Sequence, residues 1–262
     1  MKGSKIFQRI YDDYLLPRRT SDYGRILEEA ARYGYSFETV SSFDEILKAN
    51  KLKANKYLIL RRDVDTRAFS VLRAMLAEEQ KHGARCSYFF RLKTLNKSLA
   101  AEIAAAGGEV SYHYEELAAY AGKKRLKNRD DVIQVLPEIR TAFEKNLAWF
   151  RKETGQPCTA VASHGDFINR KLKLSNTEIL QDPTFRISCG ILREAYDLEQ
   201  MGHVTCRIAD QSDPDFTEEA LAAIRRNEPV IYLLTHPRQW GADWEANTHE
   251  NISRLVRGFV YR

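Results

Sequence analysis

The stretch Tyr57-Leu58-Ile59-Leu60-Arg61-Arg62-Asp63-Val64-Asp65 constrains the fold more than any other. An apolar run of four between Lys56 and Arg61 suits a strand buried on both faces, and such strands belong to the middle of parallel sheets. After it, Ala68, Val71, Leu72, Met75 and Leu76 recur at the spacing of one helix face. Strand, acidic turn and helix thus follow one another. In α/β folds ligands gather at the carboxyl ends of the strands, where loops vary and the sheet holds them still. Asp63 and Asp65 stand at that place. Taken alone, Asp65 reads as a helix cap and Asp63 as a turn residue.

The rest of the chain repeats the pattern. Residues 1–56 read as an extension packed on the main domain, with a helix over 21–33, a short strand over 35–40 and a second helix over 42–49. The main domain, 57–262, carries further strands at Cys86–Leu92, Glu109–His113, Thr159–Ser163, Phe185–Cys189, Val204–Ala209 and Pro229–Thr235. Helices are expected to end at Gly83 and at Gly107-Gly108, and to begin at Asp213-Pro214. A long helix over Asp131–Thr154 has Pro137 kinking it or starting its main part. Asn247 and Glu250 have capping-box spacing for a final helix reaching Phe259. The segment Gly165–Pro183 is polar and irregular, as a loop near a site would be. Strands alternating with helices predict a parallel sheet, and about seven strands suffice to close an irregular barrel.

At 262 residues and 44% hydrophobic, the chain can bury one large α/β core. Neither a signal peptide nor a run of roughly 20 apolar residues is present, so a soluble, cytoplasmic protein is expected. Cys86, Cys158, Cys189 and Cys206 are scattered and read as free thiols, not a metal knuckle or redox pair. A net charge of +5 permits an anionic substrate but not the concentrated basic face of a nucleic-acid binder. The one basic cluster, Lys123, Lys124, Arg125, Lys127 and Arg129, is either a solvated loop or a contact for the phosphates of a carrier-linked substrate.

Four strands end on groups suited to acid, base or metal chemistry: Asp63 with Asp65, His113, His164 and His236. A lone histidine signifies little, but three of six at strand ends beside a carboxylate pair are not readily independent. His82, His203 and His249 lie elsewhere and read as structural. One carboxylate with two imidazoles suits Zn²⁺ or another first-row divalent ion, with positions open for water and substrate. The second aspartate is then free to take a proton from the attacking water, and His236 to protonate a leaving group. That is metal-assisted hydrolysis of an amide or ester.

Arg-Asp-Val-Asp at 62–65, Gly-Glu-Val-Ser-Tyr-His-Tyr-Glu at 108–115, Ser-His-Gly at 163–165 and Leu-Leu-Thr-His-Pro at 233–237 resemble the polysaccharide deacetylase superfamily, carbohydrate esterase type four. The resemblance, strongest to the branch associated with lipopolysaccharide and capsule biosynthesis, runs from about Tyr23 to the C-terminus. It implies a distorted (β/α)₇ barrel, TIM-like, and a divalent metal, usually zinc, for removing an acyl group from an N-acylated sugar. By that match Asp63 is the catalytic base, Asp65 and His113 are metal ligands, and His236 is the general acid. Two departures stand out. The family's second histidine, one helical turn after the first, is Leu117 here, and its arginine-containing third motif is absent. His164 is the expected replacement ligand, with Glu115 or Glu116 as the alternative. Arg62 and Arg67 flank the aspartates, to hold a carboxylate charged or contact substrate, or else to pack at the surface. Tyr114, Asp210 and Trp240 are expected to line a sugar pocket, with a core role for Trp240 the alternative. The leading expectation is a metal-dependent deacylase of a carrier-linked N-acetylated sugar. The rivals are a sugar-binding barrel without catalysis and a metal-independent amidohydrolase.

Overall fold

The computed structural model describes residues 10–11, 13–52, 55–211 and 215–261. Eight parallel strands form one sheet: β1 (Tyr35–Glu38), β2 (Lys56–Val64), β3 (Ser87–Phe90), β4 (Glu109–Tyr114), β5 (Ala160–Ser163), β6 (Arg193–Glu194), β7 (Cys206–Ala209) and β8 (Val230–Thr235). The path runs β6-β5-β4-β3-β2-β8-β7. β1 lies outside it, pairing with Lys56–Ile59 of β2, while β3 takes Arg61–Val64 on the same edge. The seven strands of the path curl into a half-barrel with helices outside, the TIM-like architecture the alternation predicts. Among the described residues no ladder joins β6 to β7. Side chains span that seam: Tyr232 Oη donates to the Ala195 carbonyl at 3.4 Å, and the Arg207 guanidinium lies 5.5 Å from the Tyr196 ring centre.

β2 is buried from Tyr57 to Val64, as its apolar run predicts. The period of two divides its side chains between two cores. Leu58, Leu60 and Val64 join the layer between sheet and helices, while Tyr57 and Ile59 join Phe89, Ala160, Ala162, Tyr232 and Leu234 inside the half-barrel. The strand continues through Arg61, Arg62 and Asp63 because each charge is paired on its own side of the sheet, without which burial would be prohibitive.

The outer layer follows the apolar spacing. The helix Phe69–His82 buries Val71, Leu72, Met75 and Leu76 and stops at Gly83, whose φ of 63° favours glycine. The helix Thr20–Arg32 packs on it through Tyr23, Ile26, Leu27 and Ala30. Pro137 starts the helix Leu136–Thr154, which follows a separate short helix, Arg129–Gln134. No helix among the described residues is long and apolar enough to cross a membrane. All four cysteines are free.

Several local expectations are corrected. Phe185–Cys189 is not a strand but lies in and just after the helix Pro183–Ser188. Asp182 accepts from the Thr184 and Phe185 amides with Pro183 in the first turn, and this start overrides the β preference of the following residues. The sixth strand is Arg193–Glu194 instead. Gly165–Pro183 holds two short helical segments, Phe167–Leu172 and Asn176–Leu180, capped by Asp166 and Ser175. The last helix spans Trp244–Val260, and Asp243 caps it through the Ala246 amide. Asn247 therefore lies inside the helix, bonded to the Asp13 carbonyl, and Glu250 pairs with Lys93. A helix missed in the sequence, Glu116–Lys124, carries Lys123 and Lys124 in its last turn. The start expected at Asp213-Pro214 lies outside the described residues; the helix there spans Phe216–Arg225.

Candidate active site

The carboxyl ends of β2, β4, β5, β7 and β8 converge at one mouth of the half-barrel, and alternation turns chosen side chains inward. On β2 these are Arg61 and Asp63, with Asp65 two residues on. On β4 it is His113, and just beyond β5 and β8 they are His164 and His236. The three residues expected to hold a metal come together. Asp65 Oδ1 lies 3.4 Å from His113 Nε2 and 3.6 Å from His164 Nε2, and the two rings stand edge to face at 5.2 Å.

This set fits a divalent cation on three observations. Asp65 Oδ1 is buried with no hydrogen-bond partner, a costly state for a carboxylate oxygen. His113 Nδ1 meets the Ala162 carbonyl at 2.9 Å, which puts the proton there and leaves the Nε2 lone pair facing Asp65. Burial drives His164 well below the ordinary histidine value, so its ring is the neutral form a cation takes up. Donors about 2.1 Å from a tetrahedral ion are about 3.4 Å apart, which the two spacings from Asp65 approach. Among the described residues, however, the set whose donor atoms all lie within 4.8 Å of one another is Glu115, His164 and Asp166.

Asp63 sits beside this set, its Oδ2 3.5 Å from His113 Nε2 and 4.0 Å from His236 Nε2. Arg61 grips both its oxygens, at 2.8 and 2.7 Å. Burial alone would raise the Asp63 carboxyl, but the guanidinium holds it below the usual aspartate value. Arg61 is the residue the sequence reading missed. Its signal was the spacing of two on a strand, which puts Arg61 and Asp63 on one face and sends Arg62 to the other.

His236 is set by Asp210. Asp210 Oδ1 meets His236 Nδ1 at 2.7 Å, and Oδ2 accepts from the His236 amide at 2.6 Å and from Trp240 Nε1 at 3.0 Å. Burial would lower the imidazole, but the carboxylate outweighs it and lifts His236 to about 9. At neutral pH the ring is protonated, with Nε2 4.0 Å from Asp63 Oδ2.

Of the four residues expected to contact substrate, Asp210 supports His236 and the other three are turned into the core. Arg62 is wholly buried on the outer face of β2, where Nη1 donates to Glu79 at 2.6 Å and Tyr88 at 2.9 Å. Tyr114 faces the helical layer against Phe143, because on β4 it alternates with His113. Asp210 is spent on His236, and Trp240, 2% exposed, packs between Tyr23 and Phe216. Of the two flanking glutamates, Glu116 is buried and accepts from Tyr112 and Asn146, away from the histidines. Glu115 is bound by Arg91 and lies 3.4 Å from His164 Nδ1. Arg67 donates to the Lys93 carbonyl.

A cavity of about 910 Å³ opens over Asp65, His164 and His236. Its wall includes Asp13, Arg170, Arg238 and Arg254, of which Arg238 is paired with Asp13 and Arg254 with Glu250. None of the basic residues at 123–129 lines it.

No protein-family model matches the sequence, and no curated protein does. Among solved structures the chain is similar to a CE4 family pseudoenzyme from Bacillus anthracis, at 16% identity and a TM-score of 0.46, over 79% of this chain and 63% of that one. A mutant of that pseudoenzyme with restored enzymatic activity matches equally, over 65% of its length. A family 4 carbohydrate esterase from Streptomyces lividans in complex with acetate matches at 16% identity and a TM-score of 0.40, over 79% of this chain and 86% of that one. The chain thus spans less than two thirds of the length of the first pair.

Proposed function

We propose that this chain is a metal-dependent hydrolase that removes an acyl group, an acetyl, from the nitrogen of an N-acylated sugar in surface-polysaccharide biosynthesis. One observation carries the reading: a buried carboxylate oxygen with no partner, flanked by two imidazole nitrogens, lies beside a guanidinium-held aspartate and a protonated histidine. Asp65, His113 and His164 would hold the cation, with Zn²⁺ suited to one oxygen and two nitrogens. The cation supplies Lewis acidity toward a carbonyl oxygen and an attacking water.

The chain's own residues supply the proton transfers. Asp63, kept ionised and oriented by Arg61, accepts a proton from the water that adds to the acyl carbon. His236, charged through Asp210, donates its Nε2 proton to the amine nitrogen as the carbon–nitrogen bond breaks. Opposite protonation states in one buried site are what such a division requires. The open cavity, whose wall carries several polar side chains, suits a sugar, and Arg170 on that wall suits an anionic group on the sugar, consistent with a nucleotide or lipid carrier.

The test is acetate release from N-acetylated sugars, free and carrier-linked, with zinc content measured on the same samples. Activity lost on chelation, restored by zinc and absent from Asp63→Asn is the expected result. Turnover untouched by a chelator would favour a metal-independent amidohydrolase. Sugar binding with no turnover on any substrate would favour a binding protein.

A further inference from the structure

The two imidazoles beside Asp65 are backed differently. His113 Nδ1 meets a backbone carbonyl. His164 Nδ1 lies 3.4 Å from Glu115 Oε2 and, though buried, makes no hydrogen bond. A buried ring nitrogen left unmet costs about 1–3 kcal/mol, and Glu115 is the carboxylate at hand to relieve it. Glu115 is itself held. Arg91, 1% exposed, donates through Nε to Oε1 at 3.1 Å and through Nη2 to Oε2. Arg91 Nη1 in turn lies 3.6 Å from Glu250 on the helix Trp244–Val260.

We propose that Glu115 is a positioning residue: it turns His164 by its Nδ1 so that Nε2 faces Asp65, and Arg91 and Glu250 keep Glu115 in place. The inference rests on reading Asp65, His113 and His164 as the cation site. A carboxylate behind an imidazole fixes its tautomer and ring angle and makes it a stronger donor to a cation. The carbonyl behind His113 does the first two without the charge, so the two histidines are unequal donors.

A rival arrangement uses Glu115 directly, since donor atoms of Glu115, His164 and Asp166 lie within 4.8 Å of one another and could hold a cation. Two contacts oppose it. Asp166 Oδ1 accepts from the Ile168 amide as a helix cap, and both Glu115 oxygens accept from Arg91.

The experiment titrates Zn²⁺ into the chelator-treated full chain against a chromophoric competitor, and Co²⁺ for its visible absorption, with thermal melts to confirm folding. Glu115→Gln is expected to weaken zinc about 10- to 100-fold with the cobalt band shape retained, while Asp166→Asn stays within about twofold. Arg91→Lys, which loosens Glu115 without removing it, weakens zinc in the same direction by a smaller factor and serves if Glu115→Gln does not fold. Unchanged affinity in both Glu115→Gln and Arg91→Lys overturns the inference. So does a loss in Glu115→Gln as complete as in Asp65→Ala with an altered cobalt band, which would make Glu115 a ligand. If the unaltered chain binds neither ion, the cation site fails too; if it binds and both Glu115→Gln and Arg91→Lys are unaffected, only the positioning role fails.

Discussion

Replacing Asp210 by asparagine separates the role of His236 from its mere presence. In the folded chain His236 titrates at about 9 in place of 6.5, with the Asp210 carboxylate 2.7 Å away as the main force against burial. That gap corresponds to roughly 3 kcal/mol in favour of the imidazolium. Asparagine keeps an oxygen for Nδ1–H but removes the charge, so the histidine should titrate below its value in the parent while Asp63 and Asp65 continue to favour its charged form. The assay is the pH dependence of kcat/KM for acetate release. If His236 is the acid, the basic limb of the parent moves down in Asp210→Asn. The variant should then lose more activity than the parent as pH rises from about 6 to about 8.5. Poorer ring orientation would lower the whole curve without moving its limb, so limb position is the diagnostic. A limb at the same pH in both proteins would refute the assignment. Stability gives a second reading with a defined sign. A histidine raised on folding contributes fully below about pH 6.5, and the contribution is lost as pH climbs through about 9. Denaturant midpoints of the parent, measured with a chelator present, should therefore fall across that window, and those of Asp210→Asn much less.

Arg61→Met should destabilise by about 3–5 kcal/mol in urea unfolding, because it leaves the Asp63 carboxylate buried without its partner. The variant's Asp63 should titrate upward, and an acidic limb of the rate profile that stayed in place would count against Arg61 as its support. Asp65→Ala and His113→Ala should each abolish stoichiometric zinc in elemental analysis; full occupancy in both would remove the proposed site. Asp182→Ala should cost about 1 kcal/mol by loss of the cap on Pro183–Ser188, even in an Arg140→Ala background that already lacks the Arg140–Asp182 ion pair; no loss in that background would count against the cap.

The sequence was most legible where one period dominated. The apolar run of β2, the helix face at 68–76 and the strand ends bearing His113, His164 and His236 all rest on alternation or helical spacing, which tertiary contacts only reinforce. It was least legible where a local start signal competed with composition, as at Asp182-Pro183 and Asp243. Which face a side chain takes was also lost. Arg62 and Tyr114 neighbour Asp63 and His113 in the chain, and for that very reason point the opposite way. Asp210 and Trp240 are expected as sugar contacts, but Asp210 pairs with His236, 26 residues away, and Trp240 donates to Asp210, 30 residues away, pairings that only the curl of the sheet creates. Arg61 shows the converse, a partner hidden in plain view two residues before the base.

The discontinuity between β6 and β7 also bears on motion. Elsewhere, parting neighbouring strands means breaking a row of amide bonds, whereas here side-chain contacts, among them a tyrosine hydroxyl on a carbonyl and a guanidinium beside a ring, hold the two sides together. Amide protons of Arg193 and Glu194 should therefore exchange with deuterium well before those of β2 and β8. A bulky saccharide entering the mouth would find its most yielding wall on that side.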